Sequence, residues 1–378
     1  MEIGLYIHIP FCTSKCFYCD FLSFPKEEAQ EAYIEALIAE IKSYGESLQS
    51  TVVIRSIFIG GGTPTVLPPF LLERLAKAIT TYFKLSPELE WTIEANPGTL
   101  TKEKVEVMSR YPINRISMGL QTTHEHLLKR IGRTHSFKDW EESYQLIRQY
   151  TNCSINADLM FALPGQTMEE FKTTLETVTQ YDLDHLSVYA LIIEEGTCFG
   201  NLYEQGKLEA VSEELDREMY HYAQDFLKAK GYEQYEISNW AKPGKACQHN
   251  LIYWHRVPYL GLGLGARSMW ENIRYANEEN LKAYIAAHGE ISKIRHEEEV
   301  LTQEMAMEEF MFLGLRLLEG ISERAFEKQF GKSVWEVYEK QLNKWLTYNV
   351  LIKEGDHIKL TPYGLDVCNE VFSSFLMV

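Results

Sequence analysis

Along the first two thirds of the chain, short apolar runs rich in β-branched residues alternate with longer amphipathic ones. The runs at 4–9, 55–59, 89–94, 115–120, 155–163 and 185–191 predict strands. Between them, 27–48, 70–83, 102–109, 136–150 and 168–181 repeat their apolar residues at helical spacing. This alternation predicts an α/β fold, a parallel sheet with helices outside, open or closed into a barrel. In such sheets the sites lie at the carboxyl ends of the strands.

Beyond the sixth strand a long helix is expected over 213–230. Residues 231–270 read as an irregular stretch rich in Gly, Tyr and Trp. It is too long for an ordinary connection and is therefore expected to be functional. From Thr302 the pattern turns helical, then gives a hairpin at 350–360 and a last helix, which resembles a winged helix. Three parts are expected: a core over 1–230, a connecting region over 231–300 and a mostly helical, winged-helix-like domain over 301–378. The last part holds 8 Lys and Arg against 12 Asp and Glu, which argues against a DNA-binding wing.

Composition narrows the function. The 378 residues are 45% hydrophobic and 24% charged, an ordinary globular balance. A net charge of -17 disfavours nucleic acid and anionic membranes as partners. No apolar run approaches the roughly 20 residues of a membrane span. The amino terminus runs straight into a strand pattern without a basic leader, so a cytoplasmic location is expected. Seven cysteines, three of them crowded near the start, make a poor disulfide framework and a good metal framework.

Those three lie in Ile7-His8-Ile9-Pro10-Phe11-Cys12-Thr13-Ser14-Lys15-Cys16-Phe17-Tyr18-Cys19, in a loop directly after the first strand. Soft thiolates suit iron–sulfur clusters, zinc or copper(I). Three can hold three irons of a four-iron cluster and leave the fourth open. A closed structural zinc site wants four ligands, and Cys153, Cys198, Cys247 and Cys368 stand alone. Buried structural cysteines are the bland alternative.

The spacing C-x3-C-x2-C, with an aromatic residue before the last cysteine, resembles the radical-SAM family. The resemblance implies a partial (β/α)6 barrel, with a 4Fe-4S cluster on Cys12, Cys16 and Cys19. It also implies that S-adenosyl-L-methionine chelates the open iron. Gly60-Gly61-Gly62-Thr63-Pro64 matches the family's GGTP motif, with Gly61, Gly62 and Thr63 at the methionyl amino group. Glu94, Gln121, Arg133 and Asp158, at or near strand ends, match positions that contact the cofactor, as do Tyr6 and Tyr18. Asp158 is conspicuous on physical grounds alone, because a charge inside an apolar strand is costly to bury unpaired. Glu94 alone would read as a helix cap or a surface acid.

Within the superfamily, the chain resembles the anaerobic coproporphyrinogen III oxidases and, more closely, the heme chaperones called HemW. The oxidases carry a further cysteine two residues after the third ligand, where this sequence has Phe21. They also carry a sizeable segment ahead of the cysteine loop, where this sequence has eleven residues. His249-Asn250-Leu251-Ile252-Tyr253-Trp254 matches the HNxxYW motif of the chaperones. The resemblance implies heme as a ligand, with His249 as its contact, and a heme-accepting protein as partner. Imidazole is a common heme ligand, although a lone histidine among eleven is more often structural. Cys247 and His255 are further candidate ligands without motif support. Radical decarboxylation of coproporphyrinogen III, in porphyrin biosynthesis, is the alternative activity. A homodimer is compatible with the resemblance, but no residue demands it.

Overall fold

The computed structural model describes residues 1–48 and 51–376. Six strands, β1 (Glu2–Ile9), β2 (Val53–Gly61), β3 (Leu85–Ala95), β4 (Arg115–Gln121), β5 (Ser154–Phe161) and β6 (His185–Ala190), pair in chain order, all parallel. The connecting helices are α1 (Gln30–Leu48), α2 (Pro69–Tyr82), α3 (Lys102–Arg110), α4 (Glu125–Arg130), α5 (Phe137–Tyr150) and α6 (Met168–Val178). Then come α7 (Cys198–Glu204) and α8 (Glu213–Ala229). Helix starts follow local chemistry. Ser136 and Thr167 close capping boxes with Asp139 and Glu170, and Thr101 caps α3.

Each parallel strand has two faces of different character. On β4, Ile116, Met118 and Leu120 are buried in the hydrophobic core, whereas Ser117, Gly119 and Gln121 line a cavity. On β5, Ile155, Ala157 and Leu159 join the core, and Asn156 and Asp158 share the other face. The apolar face packs under the helices. The polar face lines the lumen, where the chemistry is.

Residues 231–270 are more ordered than their composition suggests. They form β7 (Glu233–Glu236), β8 (Asn239–Ala241), α9 (Gln248–Trp254), β9 (Tyr259–Leu262) and β10 (Arg267–Trp270). β11 (Ile273–Asn277), α10 (Leu281–Ala287), α11 (Ile291–Ile294) and β12 (Arg295–Val300) follow. The strands extend one open twelve-stranded sheet in the order β12-β11-β10-β9-β1-β2-β3-β4-β5-β6-β8-β7. The barrel is therefore partial: both edges carry extensions and do not meet. Strands of three to six residues give no readable alternation, and here pairing with distant strands decides the structure.

The last region contains α12 (Gln303–Gly314), β13 (Ile321–Ser322), α13 (Glu323–Phe330) and α14 (Val334–Thr347). It closes with β14 (Leu351–Glu354), β15 (His357–Leu360), α15 (Pro362–Asp366) and α16 (Cys368–Ser373). β14 and β15 form the expected hairpin, and β13 completes a small sheet in the order β13-β15-β14. Among the described residues, no helix is long and apolar enough to cross a membrane.

Candidate functional site

The chain leaves β1 at Ile9 and enters the cysteine loop. Backbone bonds fasten that loop to the surrounding structure. Phe24 N donates to Pro10 O at 2.8 Å, Phe17 N to Ile131 O at 3.1 Å and Phe199 N to Phe17 O at 2.9 Å. Cys19 N turns back on Cys16 O at 3.2 Å. Cys12, Cys16 and Cys19 are free and partly accessible, and all three line one open cavity at the carboxyl ends of the strands.

The glycine triplet ending β2 forms the adjoining wall. Gly62 N donates to Ile9 O at 2.9 Å and Thr63 N to Phe11 O at 2.7 Å, which stitches the triplet to the base of the cysteine loop. Thr63 Oγ1 lies 3.5 Å from Cys12 Sγ. Gly61 has φ +107°, and a Cβ there would sit 2.4 Å from the His8 ring. Only glycine satisfies both constraints.

The lumen supplies the charged groups. Glu94 Oε2 accepts from Gly61 N at 3.2 Å. Burial, then the Asp158 carboxylate, push Glu94 up to about 8; the Gly61 N–H and the guanidinium groups of Arg115 and Arg133 pull the other way. Asp158 accepts from Ser117 Oγ at 3.2 Å and Asn156 Nδ2 at 2.8 Å, and burial raises it as well. Arg133 donates to Asn96 Oδ1 at 2.8 Å and to the Tyr18 hydroxyl at 2.9 Å. Its Nε and the Oε1 of Gln121 are buried without a partner. Buried polar atoms of this kind are rare unless a ligand or water completes them.

The structure thus brings together Cys12, Cys16, Cys19, Tyr18, Gly61, Gly62, Thr63, Glu94, Gln121, Arg133 and Asp158 around one cavity. Tyr6 does not line it; its hydroxyl is 3.0 Å from His8 Nδ1 inside the barrel. His249 lies elsewhere, on α9 beside the amino ends of the strands. Its Nδ1 is 2.8 Å from Ser56 Oγ, its Nε2 is 2.9 Å from the Tyr253 hydroxyl, and its backbone N–H donates to Glu90. Burial, then Arg115, hold its imidazole down to about 3, so it is neutral. Cys247 is fully buried with its Sγ 3.5 Å from Glu90 Oε1, whereas His255 is half-exposed.

Sequence reasoning passed over Asn96, Ser117 and Gly119. The signal was available: Asn96 shares a strand face with Glu94, and Ser117 and Gly119 share one with Gln121. A Cβ on Gly119 would meet Gln121 Nε2 at 2.9 Å, so the glycine gives that side chain its space.

Residues 6–178 match the Radical SAM superfamily, and residues 301–367 match the HemN C-terminal domain. The heme chaperone HemW of Lactococcus lactis is 39% identical over 98% of this chain and 97% of its own length. The chain belongs to the HemW family of radical-SAM proteins. HemW of Bacillus subtilis is 37% identical over 98% of both chains, and that of Escherichia coli 32% identical over 99% and 98%. The coproporphyrinogen III oxidase of Escherichia coli has the same fold, with a TM-score of 0.86 over 100% of this chain and 90% of its own. Its sequence identity is 22%.

Membership in the radical-SAM superfamily implies a 4Fe-4S cluster and S-adenosylmethionine, and the cavity fits both. Its lining includes three thiols and no fourth cysteine, which is the donor set of a site-differentiated cluster. Beside them are two half-buried acids suited to an ammonium group and hydroxyls, and unpaired atoms on Gln121 and Arg133.

Proposed function

We propose that this protein is a heme chaperone: it binds heme and hands it to an acceptor protein in the cytoplasm. The observation that carries the reading is the full-length similarity to proteins named heme chaperone HemW. In this reading Cys12, Cys16 and Cys19 hold the cluster. Gly61, Gly62 and Thr63 cradle the methionyl end of S-adenosylmethionine, and Glu94, Gln121, Arg133, Asp158 and Tyr18 surround the rest. When bound, the pair supplies one-electron reductive cleavage of a sulfonium. The protein's own residues do the positioning. Arg133 clamps Tyr18 of the cysteine loop to Asn96 after β3, which fixes the loop over the lumen. Burial and the Asp158 carboxylate favour a protonated Glu94 there, and a cationic ligand beside the two acids would favour their charged forms.

His249 is the motif residue for heme. In this conformation both of its ring nitrogens are engaged, so iron ligation by Nε2 requires the Tyr253 hydroxyl to move aside. The test is a hemin titration of anaerobically reconstituted protein, followed by the Soret band. A saturable complex with one heme per chain, weakened by His249→Ala, is expected. No saturable spectrum would overturn the chaperone reading. Multiple-turnover formation of protoporphyrinogen from coproporphyrinogen III would replace it with the oxidase activity.

A further inference from the structure

β4 ends at Gln121, and the chain passes through Thr122 and Thr123 into His124, which precedes α4. His126 follows two positions on. Both face the start of α6, where Glu170 sits. One ring nitrogen of each histidine and a carboxylate oxygen of Glu170 all lie within 4.8 Å of one another. His126 Nε2 is 3.0 Å from Glu170 Oε1, and His124 Nε2 is 3.0 Å from the Glu170 carbonyl oxygen. None of the three lines the cofactor cavity.

We propose that His124, His126 and Glu170 form a second metal site, for a divalent cation of the zinc class. Two imidazoles and one carboxylate are borderline donors that suit Zn²⁺, Ni²⁺ or Co²⁺ and not the hard cations Mg²⁺ or Ca²⁺. Three protein ligands leave a tetrahedral ion one position for water. The carboxylate is already oriented. Thr167 N and Thr167 Oγ1 both donate to Glu170 Oε2 at 2.8 Å, which leaves Oε1 turned toward His126. A fixed outer partner of this kind stiffens a metal ligand. His124 is held against α6 by its carbonyl contact, and Thr123 by Thr174, whose Oγ1 is 3.2 Å from Thr123 Oγ1. The remaining movement falls to His126, the exposed member, whose side chain turns at little cost. A bound ion would cross-link the β4–α4 connection to α6. The segment from Gln121 through α4 to Arg133 has both of its ends in the cofactor cavity, so the ion would stiffen it.

The experiment uses cluster-reconstituted, full-length protein titrated anaerobically with Co²⁺ as the spectroscopic probe. One equivalent is expected to bind with d–d bands of nitrogen and oxygen ligation, without sulfur-to-metal charge transfer and without change in cluster absorbance. His126→Ala and Glu170→Gln should each weaken binding at least about tenfold. The glutamine still serves at the third position of the helix cap, so the fold at α6 is retained. Three results would overturn the site: no uptake by the native chain, equal uptake by both variants, or a thiolate charge-transfer band accompanying the bound cobalt.

Discussion

At the scale of single residues, the most exacting burial is that of Glu40, which lies in α1 and is fully buried. Its oxygens accept from the Tyr284 hydroxyl at 2.5 Å, Asn277 Nδ2 at 2.7 Å and Gly263 N at 2.9 Å. Burial pushes its carboxyl up to about 7 against those three donors. The folded chain therefore keeps a proton that the unfolded chain has released. The associated stability is complete below the unfolded value of 4.5 and is lost as pH rises through about 7. The loss amounts to about 3 kcal/mol at most. Urea midpoints should accordingly fall between about pH 5 and pH 8, and Glu40→Gln should flatten that slope. Parallel slopes for the two proteins would refute it. This role was not legible beforehand, because Glu40 is one acid in an acid-rich helix and its partners lie more than two hundred residues away in sequence. Asp158 was legible, since a carboxylate amid Ala157, Leu159 and Met160 has to be paired or used.

At the scale of elements, the C-terminal region is attached through a buried charge. Glu309 on α12 accepts from Arg256 Nε and from Arg274 Nε on β11, both at 2.6 Å. Glu309 and Arg256 are nearly inaccessible, so removing the acid leaves guanidinium charge buried and unpaired. Glu309→Ala should destabilise the protein by about 3–5 kcal/mol. Limited proteolysis should then release the region beginning at α12, and an unchanged digestion pattern would show that apolar packing alone holds it. The acid was visible in the sequence; its partners were not, because they lie on pieces of residues 231–300. That stretch was the least readable part of the chain. The six parallel strands and their helices carry period-two and helical patterns long enough to recognise, and their ends are marked by Thr101, Ser136 and Thr167. β8, Asn239–Ala241, has three residues and gains its structure from β6 and β7. Only the β1–β6 scaffold shows where such a strand can dock.

At the scale of the whole molecule, the cysteine loop and the His249 segment lie at opposite ends of one lumen. The cysteine loop and Gly61 close the carboxyl end, whereas α9 closes the amino end, where His249 contacts Ser56. The stretch of β2 from Ser56 to Gly61 spans about 16 Å at the rise of a strand. Between the ends lies a packed polar interior: Asn156 Oδ1 is 2.7 Å from His185 Nδ1, and His185 Nε2 is 2.9 Å from the Tyr235 hydroxyl. A heme held by α9 therefore has no direct contact with the cluster, and the two sites should be separable by substitution. Cys16→Ser should abolish the cluster's broad absorbance and leave the hemin titration intact. His249→Ala should weaken hemin binding at unchanged iron and sulfide content. If Cys16→Ser abolished both signals in protein that still folds, heme would belong at the cysteine-loop end, and α9 would be a structural plug for the barrel.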